Sequence, residues 1–321
     1  MSLELLPSSH GLRLCSCEGE RVEPLADFPC AQPDLWCWSD DRSHALAVDQ
    51  GRKRVTTFRL EDQDFVRTMS PLALPRNVKA NCIAMKGPQP YIGATSIWLP
   101  DSEGGWLQTP MPGFARGAGK RLDGLLFDGD RLVAVDDLVL PKWNLEYDVA
   151  TPDQPRYVRA VEIRANTSYE RIFAAAGGKR WFATLSRGIN HGNSSSFCSV
   201  FDLATLESAW TWPFSRAEGQ RRAAIELTRV VFLDDVLCLL AQPSAPDDPA
   251  VLHWLDLSEA PSPLPPLRER RKQRPEIRAE PLQELAAAND LVATADGSGV
   301  YVCGRSPGGE PSVLWRAAGG G

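Results

Sequence analysis

Asp136 and Asp137 stand next to each other, close in sequence to Lys142, Asn144 and Glu146. Paired acids of this kind can divide general acid and base roles, or hold a hard cation such as calcium through their oxygens. Asp49, Asp136, Asp137 and Asp296 each follow an apolar run, which is the placement needed to gather acids from several strands at one site. An Asp after a strand is first of all a turn residue, so convergence of these carboxylates in space decides between the two roles. Cys15-Ser16-Cys17, with Cys30 and Cys37 downstream, is the one thiolate cluster. On a strand Cys15 and Cys17 share a face, but zinc pairs are usually spaced by two to four residues, and the downstream pair is too widely spaced for a second knuckle. The eight cysteines are therefore expected to be free core thiols.

Other chemical signatures are absent or incomplete. The stretch 113–120 is glycine-rich and ends in Gly119-Lys120, yet its first glycine comes one position early and Arg121 stands where Ser or Thr would ligate magnesium. No G-x-S-x-G elbow and no H-E-x-x-H motif occurs, and His10, His44, His191 and His253 are scattered. Two polar segments remain. One is the loop 187–196, where Asn190, His191 and Asn193 are available to a ligand or are simply the residues an exposed hairpin needs. The other is 258–281, where Pro261, Pro263, Pro265 and Pro266 precede Arg268, Arg270, Arg271, Lys272 and Arg274. That composition reads as an extended stretch followed by a basic loop, either solvated or facing an acidic partner. It also contains a Pro-x-x-Pro-x-Arg match at 263–268, the form taken by ligands of SH3-like grooves.

The elements that position these residues follow from the apolar pattern. The chain has 321 residues, 43% apolar and 24% charged, with 35 Lys and Arg against 41 Asp and Glu, a net charge of −6. That is globular composition, and the acidic balance argues against polyanion binding over the whole surface. No window reaches the about 18 apolar residues of a membrane helix, and Glu4 stands where a signal peptide would carry a cation. A cytoplasmic protein without a membrane partner is expected.

Five segments, 36–48, 125–135, 172–185, 230–241 and 285–295, share one shape: an apolar run, a short turn of Asp, Gly, Ala or Asn, and a second apolar run. Weaker copies at 3–17 and 82–94 bring the candidates to seven. Runs of four to six residues fit β-hairpins, since a helix needs a 3.6-residue stripe over ten or more. Tyr147-Asp148-Val149, Phe201-Asp202-Leu203 and Leu255-Asp256-Leu257 recur after three of the hairpins, with Asp placed to accept a backbone N–H two residues on and fix the next turn. A four-stranded unit of this period resembles the β-propeller group that includes WD-repeat, kelch and quinoprotein-like repeats. The resemblance is one of architecture. The Gly-His and Trp-Asp pairs of WD repeats are missing, and a kelch-like Gly-Gly occurs once, at Gly177-Gly178 ahead of Trp181.

The expected fold is all-β: one propeller domain over 1–321, with seven blades favoured over six and helix below about a tenth of residues. The N-terminal strands at 3–26 are expected to close the ring beside the C-terminal strand at 312–316, and 258–281 is expected to be an inter-strand loop. A pair of β-sandwiches is the competing architecture. With no catalytic motif intact, the functional expectation is a non-enzymatic scaffold within a larger complex. It would bind another protein through rim loops, with no cofactor and no metal. Its contact residues would be Arg268, Arg270, Arg271, Lys272, Arg274, Asn190, His191 and Asn193, helped by rim anchors among Trp36, Trp38, Trp98, Trp106, Trp143, Trp210, Trp212 and Trp254. The alternatives are a metal-dependent propeller hydrolase or lyase with carboxylates at the ring mouth, and a complex subunit touching nucleic acid through 268–274.

Overall fold

The computed structural model describes residues 2–8, 11–30, 33–68, 71–113, 121–137, 141–163, 170–190, 193–214, 226–242, 248–270 and 273–318. They form seven antiparallel sheets in chain order, a seven-bladed β-propeller. The sheets span 2–27, 35–73, 82–108, 121–163, 170–214, 226–281 and 287–317, and the one helix among the described residues is the four-residue Leu267–Arg270. Residues 10–14 and 25–164 make one compact unit, and residues 1–9, 15–24 and 165–321 the other.

Local sequence explains the hairpins. Leu132, Val133, Ala134 and Val135 are all fully buried, as a strand covered on both faces requires. The turn at Gly129-Asp130 joins Asp128 to its partner Arg131, and Gly129 takes a φ of 56°, which glycine tolerates without strain. The Asp motifs work as capping residues: Asp148 accepts from the Ala150 N–H and Asp256 from the Ser258 N–H, both at 2.9 Å. Asp202 accepts from the Thr205 N–H, also at 2.9 Å.

Packing then follows from the sheets' inability to cover themselves. In the first unit, Leu46, Val48, Met85 and Ile92 join the second and third sheets. Tyr91, Ile97, Met111, Leu132, Leu145 and Tyr147 join the third and fourth. In the second unit, Trp181, Trp210 and Trp212 pack with Leu237 and Leu239, and Leu240 and Leu252 pack with Leu291 and Val302. Burying one such large side chain contributes about 2–3 kcal/mol. The tryptophans expected at the rim are used here instead. Trp210, Trp212 and Trp254 are buried and the other five are half-buried, because these sheets need large side chains between them.

Two expectations about the chain ends and the loop are corrected. The N-terminal strands form the first sheet on their own, and Pro311–Ala317 pairs with Gly299–Arg305. The first and seventh sheets meet through polar bonds instead: Glu4 Oε1 accepts from the Ala295 N–H at 2.7 Å, and the Tyr301 hydroxyl donates to the Gly19 carbonyl at 2.8 Å. The segment expected as loop to 281 ends in a strand, Arg278–Pro281, which completes the sixth sheet.

A feature the sequence pattern did not show is a register shift near the start of the first strand in four sheets, at Leu122/Gly124, Ile172/Ala174, Leu227/Arg229 and Ala288/Asp290. Such bulges increase the right-handed twist of a strand, and twist is what a small propeller blade needs. Next to the last bulge, a Cβ on Gly304 would lie 2.0 Å from the Ala287 carbonyl oxygen. Gly304→Ala should therefore destabilise the protein by about 1–3 kcal/mol, read as a lowered urea midpoint. Gly308→Ala, where the nearest atom is 3.7 Å away, should change stability by less than about 0.5 kcal/mol.

Candidate functional site

The carboxylate cluster singled out in the sequence is dispersed by the sheet. Asp136 is fully buried and continues the Leu132-Ala134 row on one face of the fourth sheet, while Asn144 and Lys142, also buried, alternate onto the other. Burial pushes the Glu146 carboxyl up, but hydrogen bonds and charge from Arg131 and Arg159 outweigh it and leave the group below its ordinary value. The side chain of Asp137 lies outside the described residues. Asp49 caps its own turn, accepting from the Arg52 N–H at 2.8 Å. Asp296 lies in the turn between the first two strands of its sheet, whereas Asp49 and Asp136 belong to second strands. Among the described residues no three His, Cys, Asp or Glu side chains gather in a metal-binding group.

The thiols are free. Burial raises Cys17 and Cys37 to about 12, and it also raises Cys30, Cys82, Cys198, Cys238 and Cys303. Protonated thiols of this kind are poor ligands and poor nucleophiles.

Asn190 and Asn193 face each other at the end of the hairpin formed by Trp181–Asn190 and Asn193–Asp202. Their side chains, and the whole of His191, lie outside the described residues. So do the side chain of Arg268 and the whole of Arg271 and Lys272. Arg270 is not in a solvated loop. It is 8% exposed. Its guanidinium donates to the Pro265 carbonyl at 2.6 Å and to the Ser208 carbonyl and sits 3.5 Å from Glu207, while its own carbonyl accepts from the Trp210 indole at 3.1 Å. Arg274 lies 5.8 Å over the Trp212 ring. Arg270 fastens the proline-rich segment onto the fifth sheet, where backbone carbonyls need donors, while Arg274 is exposed.

The site that sequence reasoning missed is a cavity of about 290 Å³ in the second unit, lined by residues 177–179, 232–234 and 294–297. These are the turns between the first and second strands of the fifth, sixth and seventh sheets. Gly178 lets the first two approach: a Cβ there would fall 2.2 Å from the Asp234 carbonyl oxygen and 2.7 Å from the Phe232 ring. The Lys179 N–H donates to that same carbonyl at 3.1 Å, and the Lys179 ammonium pairs with the Asp234 carboxylate at 2.9 Å. Both side chains are largely exposed, so the pair remains accessible. Across from them, the Ser298 N–H and hydroxyl, helped by the Thr294 hydroxyl, hold the Asp296 carboxyl down at about 2. Phe232 and Leu233 supply a buried apolar wall. The one sequence signal for this site was the Gly177-Gly178 pair.

No family model and no curated protein matches the chain. Solved structures do. A protein from Bacteroides fragilis provisionally named a 6-phosphogluconolactonase is 12% identical, with 98% of this chain and 94% of that one covered and a TM-score of 0.59. The periplasmic gluconolactonase PpgL of Pseudomonas aeruginosa is 11% identical, covers 98% and 94%, and has a TM-score of 0.50. The β-propeller domain of Vanderwaltozyma polyspora Nup133 is 8% identical, covers 98% and 92%, and has a TM-score of 0.51. At such identities the likeness shows the fold. The expectation of a non-enzymatic scaffold is nevertheless corrected to this extent: the similarly folded structures include three propellers with lactonase names and do not support it. The absence of a short catalytic motif was a weak ground for that expectation, because a propeller site is assembled from turns of separate sheets. No helix among the described residues is long and apolar enough to cross a membrane.

Arg270→Ala should cost about 2–3 kcal/mol, since it removes a buried side chain and strips donors from the half-buried Pro265 and Ser208 carbonyls; the check is a urea melt, with Glu310→Ala as the exposed control. His253 yields a pH prediction. It is buried against the edge of Phe214 at 5.1 Å, neither ring nitrogen has a partner among the described residues, and burial pulls its pKa from 6.5 to about 4. Between those values the unfolded chain binds the proton and the folded chain does not, so the stability His253 contributes is present above 6.5 and is lost as pH falls toward 4. His253→Leu should flatten this stretch of the stability-versus-pH curve by up to about 3 kcal/mol.

Proposed function

We propose that the protein is a hydrolase of small cyclic esters, lactonase-like in reaction, acting in the cavity at 177–179, 232–234 and 294–297. The observation that carries the reading is the Lys179–Asp234 pair, held at 2.9 Å in an open cavity beside a second, ionised carboxylate, Asp296. The lactonases among the similarly folded proteins support the choice of reaction. Opening a lactone requires a water to lose a proton as it attacks the carbonyl, and it requires a charge partner for the oxyanion that forms. In this reading Asp234 accepts that proton, and the Lys179 ammonium holds the oxyanion. When the ring C–O bond breaks, the leaving alkoxide takes the proton back from Asp234. Water is consumed and one carboxylic acid and one alcohol are produced.

The test is hydrolysis of glucono-δ-lactone, followed as acid release above the spontaneous rate. Lys179→Met and Asp234→Asn should each lower kcat/KM by about 10²-fold or more, within the range of a lost acid–base or oxyanion partner. Wild-type protein with no rate above background would end this reading.

A further inference from the structure

The charge in this cavity is unbalanced. Three ionisable side chains line it, Lys179, Asp234 and Asp296. Lys179 is already neutralised by Asp234. Asp296 has no ion-pair partner among the described residues; its donors are the neutral Ser298 and Thr294, and its low pKa of about 2 keeps it ionised at working pH. Behind the lining, the buried carboxyl group of Glu4 accepts from the Ala295 N–H at 2.7 Å. The next cation along the chain, Arg180, is turned elsewhere. Its guanidinium donates to the Ala260 and Pro261 carbonyls at 2.8 and 2.6 Å and lies 4.3 Å over the Trp181 ring. Among the described residues lining the cavity no cation is left over to receive a phosphate, which brings about −1.5 to −2 charge at neutral pH.

We propose that the cavity selects uncharged polyol lactones and rejects their phosphorylated counterparts, with Asp296 as the residue that sets the preference. This rests on the hydrolase reading above and deepens it. A cavity of about 290 Å³ is at the small end for ligand sites and holds one sugar-sized ring. Hydroxyl groups can donate to the open oxygens of Asp296, whereas a phosphate meets its charge at close range. Specificity of this kind comes from a built-in repulsion.

The experiment compares kcat/KM for glucono-δ-lactone and for its 6-phosphate. Wild-type protein is expected to favour the uncharged lactone by about 10-fold or more. Raising the salt from about 20 to 300 mM should lift the rate on the phosphorylated lactone several-fold, because repulsion between exposed charges is screened, and should leave the uncharged lactone unchanged. Asp296→Asn should bring the ratio to within about 3-fold, and Asp296→Lys should reverse it. If neither variant folds, the salt dependence of the wild-type ratio still decides. Equal or faster turnover of the phosphorylated lactone, or a rate on it that falls with salt, overturns the inference while the hydrolase reading stands. Turnover of neither lactone removes that reading and the inference with it.

Discussion

A twisted sheet of three to five short strands has two apolar faces and can cover neither of them, and most of how this chain folds follows from that constraint. Each sheet must be pressed against a neighbour, so inner strands such as Arg131–Asp137 and Val236–Gln242 are apolar on both sides. The seams carry the largest side chains. Tyr91 and Tyr147 lie in one, and Trp181, Trp210 and Trp212 in another. Bulges repeated near the start of the first strand add the twist that lets such narrow sheets sit side by side.

The same constraint fixes what the charged residues do. Connections that run across sheet ends leave carbonyls without strand partners, and such carbonyls need donors. Arginine, with its planar fork, meets that need repeatedly. Arg180 takes the Ala260 and Pro261 carbonyls, and Arg270 takes those of Pro265 and Ser208. Arg316 joins Glu280 to Glu284. Of the cations that read as a partner-binding loop, Arg270 is an internal fastener and Arg274 stays exposed over the Trp212 ring, and the acids at strand ends are mostly turn caps. The sheets and fasteners hold the shape, and the turns at 177–179, 232–234 and 294–297 line a cavity.

That site depends on close approach more than on any one reactive group. Gly178 brings the turn of the fifth sheet against that of the sixth, so that Lys179 reaches Asp234. Asp296 comes from a third sheet and is held ionised by its own turn. Lys179, Asp234 and Asp296 are ordinary turn residues when viewed singly. Only their convergence on one cavity gives them the chemical role proposed for them, and no contiguous motif marks that convergence.

Legibility divides along the range of the interactions involved. The short apolar runs, their turn residues and the Asp capping motifs are local, so the all-β fold, the seven hairpins and even the bonds from Asp148 and Asp256 could be read from the chain alone. Composition at 258–281 was legible too, but not its fate: Arg270 is fixed by the Ser208 carbonyl, 62 residues away in sequence, and nothing local distinguishes a tucked arginine from a solvated one. The bulges were equally hidden, because a single extra residue in a strand leaves the apolar pattern nearly intact. By itself the sequence determined which segments become hairpins and how many there are, since period and turn chemistry are properties of neighbouring residues. The tertiary structure alone decided which turns meet, which acids cap and which line a cavity, since those outcomes depend on how separately formed sheets stack.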